Sequence, residues 1–345
     1  MISPMSARTT DIRASVAATA AEVDAGTADT RAALRELGAR GLLGRPSSAD
    51  PAASLGAPVA LVREVAAGSL ATAFSLWSQT MVLEYLRCCP TPASTALVPD
   101  LAAGALTGST GLAPALADLA GGQPLPVRAE RDGDGWRLTG AVPWASNLFD
   151  DAVLVTPART ADGGRLVAVV RLSAATVVPA GPLLALNGTG TGSVGLRDVR
   201  VAGGAVLSTD LAGFVSLCLP AMLLLQAALA VGLADAALPA AAGRLTGPNG
   251  TLRPDHELLT ARHAEVARRL GARAADPLSA GRPELAQLRL DALHLAADAV
   301  RLDSTVASGS GFRADSPTSR RVREVAFLPV QAPTEGQLRR QAAAG

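Results

Sequence analysis

Lysine is absent: all 31 basic residues among the 345 are arginine. That removes a Schiff-base lysine and the lysine-bearing phosphate loop. Isoleucine is nearly missing while alanine abounds, a codon bias that suggests a GC-rich genome and says nothing of activity. Three cysteines occur, Cys88, Cys89 and Cys218. Their spacing fits neither a metal site nor a disulfide framework, and they read as buried thiols of a reducing cytosol. The first fifteen residues lack the apolar core of a secretory signal, so the cytoplasm is the expected location. Net charge is +1 with no basic block, which leaves nucleic acid no electrostatic footprint. No Gly-x-Ser-x-Gly elbow occurs, and no Gly-x-Gly-x-x-Gly opens a helix after a strand, so neither an α/β-hydrolase nucleophile nor a Rossmann domain is indicated. His256 and His263 share a helix face with Asp255 and Glu265 nearby, and His294 lies on another helix. Zinc-binding helices use i, i+4 pairs, so no metal is expected.

What is present is hydrophobic: 49% of the chain, enough for a large core divided over two or three packed units. Leu211 to Ala234 carries no charge over 24 residues, long enough to span a bilayer. Gln226 within it, Pro220 interrupting it and the lack of flanking arginine clusters favour the central helix of a bundle instead. No membrane is expected.

Residues 1–104 read as a helical domain. Leu34 and Leu37 share a face before Gly38 and Gly41, and Leu61, Val62, Val65 and Ala66 keep helical spacing, as do Ala73, Leu76, Trp77 and Thr80. Residues 105–205 read as a β domain. Short Val- and Leu-rich runs alternate with Gly, Pro, Asp and Thr, and Asp132–Gly135 is a hairpin signal. With no helical segment between them, these strands imply an antiparallel sandwich or barrel. Residues 206–345 read as a C-terminal four-helix bundle: the apolar helix, Asp255–Ala275, Glu284–Ala307 and a closing helix over Ser319–Ala344. The fold class is α+β.

That order, with four motifs, resembles the acyl-CoA dehydrogenase superfamily of flavoproteins from about Thr30 to Leu338. Residues 136–147, WRLTGAVPWASN, are similar to the family's strand pair ending in Trp-x-Thr/Ser-Asn. Residues 186–201 are similar to its closing β segment, SGSGF at 308–312 to its Gly-Gly-x-Gly-aromatic loop, and RVREVAF at 321–327 to its Arg-x-x-Arg-Asp-Ala helix start. The resemblance implies FAD, with Trp144 packing on the flavin ring and Ser146 bonding its edge. An isoalloxazine needs an aromatic wall and polar partners that tune its potential. Thr107 and Ser109 match the segment that contacts the flavin pyrimidine, although the family's Thr-Glu-x-x-x-Gly-Ser-Asp pattern is missing there. Gly309 and Gly311 either let the backbone approach the FAD pyrophosphate or form a helix C-cap and turn. Residues 187–192, NGTGTG, lie between strands without a lysine and read as a β turn.

Dehydrogenation at Cα–Cβ of an acyl thioester needs a carboxylate base within reach of the α-proton. Counted from Arg323-Glu324, the family's usual base position is Ala332, and the other family site, on the long apolar helix, falls near Met222. Glu335 could serve after a shift of three residues; it also reads as a first-turn helix acid. The Arg-x-x-Phe-Gly element that reaches a neighbouring subunit's FAD is absent, with Arg253 and Glu257 in its place.

Three activities follow. The first is an FAD-dependent oxidoreductase acting on an acyl thioester or related substrate, with an electron acceptor. The second is a flavin-dependent monooxygenase of the same superfamily, with FAD or FMN and a flavin reductase, which needs no α-proton base. The third is a catalytically degenerate scaffold or partner subunit. The expected assembly is a homo-oligomer or a heteromer with a paralogue.

Overall fold

The computed structural model describes residues 4–44 and 54–344. Of the stretch read against a secretory signal, residues 1–3 lie outside them.

The chain opens with α1 (Pro4–Ala18), α2 (Ala20–Ala25), α3 (Arg31–Ala39), α4 (Gly56–Gly68) and α5 (Leu70–Cys88), then two short helices, α6 (Pro92–Thr95) and α7 (Val98–Ala102). α5 starts at Ser69, whose side chain accepts from the Thr72 amide and so satisfies one first-turn donor. Leu70 through Val82 are all buried, so the polar members of α5 must find partners inside the protein. Gln79 donates to the carbonyls of Leu101 and Leu106 at 2.7 and 2.9 Å and accepts from the Gly108 amide. This side chain fixes α5 to the first strand.

The middle of the chain holds β1 (Thr107–Thr110), α8 (Ala113–Leu119), β2 (Arg128–Asp132), β3 (Gly135–Ala145), β4 (Ala152–Thr160), β5 (Arg165–Arg171), β6 (Thr176–Pro179), β7 (Gly192–Val201) and β8 (Val206–Ser208). They form one sheet in the order β6-β7-β3-β2-β4-β5-β8, with β1 on β4. The expected hairpin is there: Asp132 faces Gly135 across a two-residue turn in which Gly133 has φ +62°. Two sequence expectations need correction. Residues 105–205 do contain a helix, α8, which carries Pro114 in its first turn and buries Ala115 and Leu116. The sheet is also not purely antiparallel, since β1 and β2 each run parallel to β4. Parallel neighbours need a crossover rather than a tight turn, and the connection through α8 supplies it for β1. The sheet folds over its own apolar face, where Leu138, Val142, Leu154, Val170 and Val194 pack together. On the opposite face Val153, Val155, Val167 and Val169 join the helical core. Side chains alternate along a strand, so β4 serves both cores.

The last third is α9 (Leu211–Ala242), α10 (Arg253–Ala275), α11 (Arg282–Gly311), α12 (Pro317–Val325) and α13 (Glu335–Ala342). α9 is long and apolar enough to cross a membrane by composition, yet 83% of its most apolar stretch is buried within the fold. It packs against α4, α5, α10, α11 and α12, which accounts for apolar residues on every face. At Gly232 a Cβ would lie 2.2 Å from the Arg63 carbonyl oxygen, so α4 crosses α9 at a distance only glycine permits. One turn further, Asp235 accepts from Arg63 at 2.5 and 2.8 Å and pairs with His263 at 2.6 Å, tying α4, α9 and α10 together.

The closing helix expected over Ser319–Ala344 is divided into α12 and α13. Pro329 and Pro333 lie between them and remove the amides that a continuous helix requires. The Glu335 amide instead bonds the Pro329 carbonyl at 2.9 Å. The break turns residues 326–332 back toward α5 and β3.

Candidate functional site

A cavity of about 580 Å³ opens between α5, the end of β3, the 183–191 segment, Met222 of α9 and the α12–α13 connection. Its inner wall is aromatic. Phe74 and Trp77 stack at 5.4 Å between ring centroids, and Phe327 meets Phe74 edge-on at 4.6 Å. The Trp77 indole Nε1 is buried without a hydrogen-bond partner among the described residues.

Trp144 stands at the rim. β3 loses its register with β7 between Val142 and Ala145, and there the indole leaves the sheet with 61% of its surface exposed. Leu184 and Val330, exposed by 67% and 64%, line the same cavity. Large exposed apolar side chains gathered on a concavity are characteristic of a ligand site. Ser146 faces the cavity within a chain of hydroxyls: Ser146 Oγ lies 2.6 Å from Thr191 Oγ1, which lies 2.7 Å from Thr189 Oγ1. Thr189 donates its proton to the Leu186 carbonyl at 2.8 Å, so it accepts from Thr191, and Thr191 in turn accepts from Ser146. Each hydroxyl has one proton, and Ser146 is therefore left presenting lone pairs. Asn147, the other member of the polar pair after Trp144, has a structural task. At φ +60° it donates to the carbonyls of Ser75 and Gly108 at 2.9 and 3.0 Å, pinning the end of β3 to α5.

The remaining residues singled out from sequence are placed elsewhere. Thr107 and Ser109 do not line the cavity; Thr110 does, and it bonds the Tyr85 hydroxyl at 3.0 Å. Thr107 instead donates to the Asn147 carbonyl at 3.3 Å. A step of one residue along a strand changes the face, so Thr110 reaches the cavity and Ser109 does not. Gly309 and Gly311 also lie away from the cavity lining, after a break in α11 at Ser308 with φ +51°. A Cβ on Gly311 would lie 2.5 Å from that of Ala307, whereas Gly309 has open space around it. Residues 187–192 are not a simple β turn. A 3₁₀ turn at Asn187–Thr189 is flanked by the left-handed residues Leu186 and Gly190.

Glu335 does not line the cavity. It heads α13, accepts from Arg339 at 2.6 and 3.0 Å and lies 3.2 Å from His294. The Arg339 bonds, with His294 second, hold its carboxyl below the usual range. The residue is thus the first-turn helix acid that was its alternative reading, not a base in the cavity. Ala332 and Met222 do line the cavity, and no carboxylate lines it among the described residues. Arg253 bonds the Leu245 carbonyl at 2.9 Å. His256 meets the Leu238 carbonyl at 3.1 Å, and no metal-holding group of three His, Cys, Asp or Glu exists among the described residues.

Sequence reasoning missed Arg323, the one charged side chain lining the cavity among the described residues. It reaches Asp24 of α2 at 2.6 Å. Asp24 also accepts from the Leu186 amide at 3.1 Å, and its carbonyl accepts from Asn187 at 2.8 Å. One buried aspartate thereby joins two walls of the cavity to the N-terminal helices.

No family model and no curated protein matches this sequence. Solved structures do match over nearly the whole chain. A glutaryl-CoA dehydrogenase from Mycobacterium smegmatis is 21% identical with a TM-score of 0.84, covering 98% of this chain and 94% of its own. A butyryl-CoA dehydrogenase from Megasphaera elsdenii is 16% identical with a TM-score of 0.81, covering 100% of this chain and 98% of its own. A nitroalkane oxidase crystallised with 1-nitrooctane gives the same identity and TM-score, 16% and 0.81, covering 100% of this chain and 96% of its own. Helical domain, sheet and helical bundle follow one another here as the resemblance implied, and the chain has the fold of the acyl-CoA dehydrogenases.

Proposed function

We propose that this protein is an FAD-dependent oxidoreductase, a divergent acyl-CoA dehydrogenase relative that acts on an acyl thioester or a related small molecule. The observation that carries the proposal is the cavity bounded by Trp144 and Ser146 on one side and Met222 and Ala332 on the other. The residues fit a flavin ring. Trp144 offers an uncovered aromatic face, Ser146 offers an acceptor for a ring N–H, and the Trp77 Nε1 offers an unpartnered donor. When bound, the flavin would supply two-electron transfer, or reaction with oxygen once reduced. Residues of the chain hold the ring, shield it from water and orient the substrate. Gly309, which has open space around it, is the proposed approach to the pyrophosphate. An open cavity of this size supports an enzyme over a scaffold.

One observation favours the monooxygenase reading over Cα–Cβ dehydrogenation: no carboxylate lines the cavity among the described residues, and both usual base positions, Ala332 and Met222, are apolar. A positioned base contributes roughly 10²- to 10⁴-fold to proton abstraction, and no described residue of the cavity lining supplies it. In that reading FAD or FMN is reduced by a separate flavin reductase. The test compares two assays on the flavin-loaded chain. Oxygen consumption with a flavin reductase, without reduction of an artificial acceptor by acyl-CoA, supports the monooxygenase. Acceptor reduction by acyl-CoA overturns it in favour of the dehydrogenase.

A further inference from the structure

Behind Ala332 and Met222 lies a layer of polar groups whose hydrogen bonds are not completed. Arg289 of α11 is fully buried, yet no carboxylate pairs with it among the described residues. One guanidinium nitrogen donates to the Leu328 carbonyl at 3.0 Å and lies 3.5 Å from Gln331 Oε1, while Nε and the other terminal nitrogen have no partner among the described residues. Gln331 lines the cavity, and its Nε2 is also buried and unpartnered. Gln226, one turn beyond Met222 on α9, donates to the Ala332 carbonyl at 2.9 Å. Burial lowers the Arg289 pKa to about 10, so it stays charged at neutral pH. A buried cation is normally paired, because removing it from water is costly.

We propose that the Ala332 end of the cavity is a subsite for an anion, with Gln331 as its direct donor and Arg289 as the charge behind it, and that the substrate carries a carboxylate that sits at that end. Gln331 Oε1 lies 3.5 Å from Arg289, and the Gln331 amide N–H groups, buried and unpartnered among the described residues, reach a carboxylate in the cavity by a small rotation of the side chain. Where a general base would place a negative charge beside the substrate, this chain places a positive one. A carboxylate base at Ala332 would neutralise Arg289 and repel an anionic substrate. An apolar residue there leaves the charge available. The proposal rests on the reading of the cavity as a substrate site, and names the class of substrate that it selects.

The test uses the full chain and two probes of equal length, succinyl- and butyryl-N-acetylcysteamine thioesters, which differ in a terminal carboxylate. Dissociation constants are measured by calorimetry with and without FAD, for the wild type, Arg289→Met and Gln331→Leu. A charge-assisted contact predicts at least a tenfold preference for the succinyl probe in the wild type. Both substitutions reduce that preference to threefold or less while leaving butyryl affinity within about threefold. Equal affinity for the two probes in the wild type, binding of neither, or a preference that survives in both variants overturns the proposal. Should Arg289→Met fail to fold, the wild type and Gln331→Leu still decide. Flavin binding is read separately from the visible spectrum of the same samples. A chain that takes no flavin but prefers the succinyl probe keeps the subsite and loses the redox function. A chain that takes flavin and shows no preference loses the subsite alone.

Discussion

Glu324 sits one residue from the cavity-lining Arg323 and is 1% exposed. Its carboxylate accepts from the Leu70 amide at 3.3 Å and lies 3.6 Å from Arg320, so it ties α12 to the start of α5, the helix that carries Phe74 and Trp77. Burial dominates over Arg320 and pushes its pKa up from 4.5 to about 7. Below pH 4.5 the carboxyl is protonated whether the chain is folded or not. Between 4.5 and about 7 the unfolded chain has released the proton while the folded chain keeps it, so stability falls as pH rises through this window. At about 1.4 kcal/mol per unit, a rise from 4.5 to about 7 corresponds to about 3 kcal/mol lost by pH 8. Glu324→Gln keeps an acceptor for Leu70 and cannot ionise. Urea unfolding of both proteins at pH 5 and pH 8 isolates the effect, because the other titrating groups are common to the two. The variant is expected to match the wild type within about 1 kcal/mol at pH 5 and to exceed it by about 3 kcal/mol at pH 8. Parallel pH profiles for the two proteins would refute the assignment of a buried, protonated carboxyl.

Trp144→Ala removes an exposed side chain and should leave the melting temperature unchanged, while weakening FAD binding by about 2 kcal/mol, roughly 30-fold, through lost stacking and burial; fluorescence titration measures it. Glu335→Gln should leave turnover within about twofold of the wild type, since the residue serves the α13 start and not the cavity, and it should cost no more than about 1 kcal/mol in a thermal melt. Asp303 is fully buried between Arg321, at 2.6 Å, and Arg244, at 3.3 Å. Asp303→Asn should therefore destabilise the bundle by about 3–5 kcal/mol in chemical unfolding.

The elements that could be read in advance are those whose signal is local. Leu34 and Leu37 keep helical spacing and are both buried. Asp132–Gly135 gives the hairpin turn, and the uncharged run of α9 is apolar all round because helices cover it on several sides. Trp144 could be singled out because a tryptophan after a proline and before two polar residues is unusual for a core position, and it proves to stand on a cavity rim. Other features depend on contacts that no local pattern records. In β1 a choice between Ser109 and Thr110 is a choice of face, and a four-residue strand has too few side chains to fix it. Arg323 reaches the cavity through a partner, Asp24, 299 residues away in the chain. α8 was obscured because a seven-residue helix spans too few turns to show a period among Gly- and Pro-rich loops. Arg289 lies between Leu288 and Leu290, where an arginine reads as the solvated face of a helix; burial of its guanidinium becomes visible only once α9, α11 and α12 are packed together.

The most direct test of the central claim is an equilibrium titration of the purified chain with FAD, followed by tryptophan fluorescence and the visible flavin spectrum. One FAD per chain, with quenching of indole emission that is reduced in Trp144→Phe by the share of position 144, is the predicted result. Failure to bind FAD or FMN at micromolar concentrations, or binding whose quenching is indifferent to position 144, would contradict the claim that this cavity receives the flavin ring.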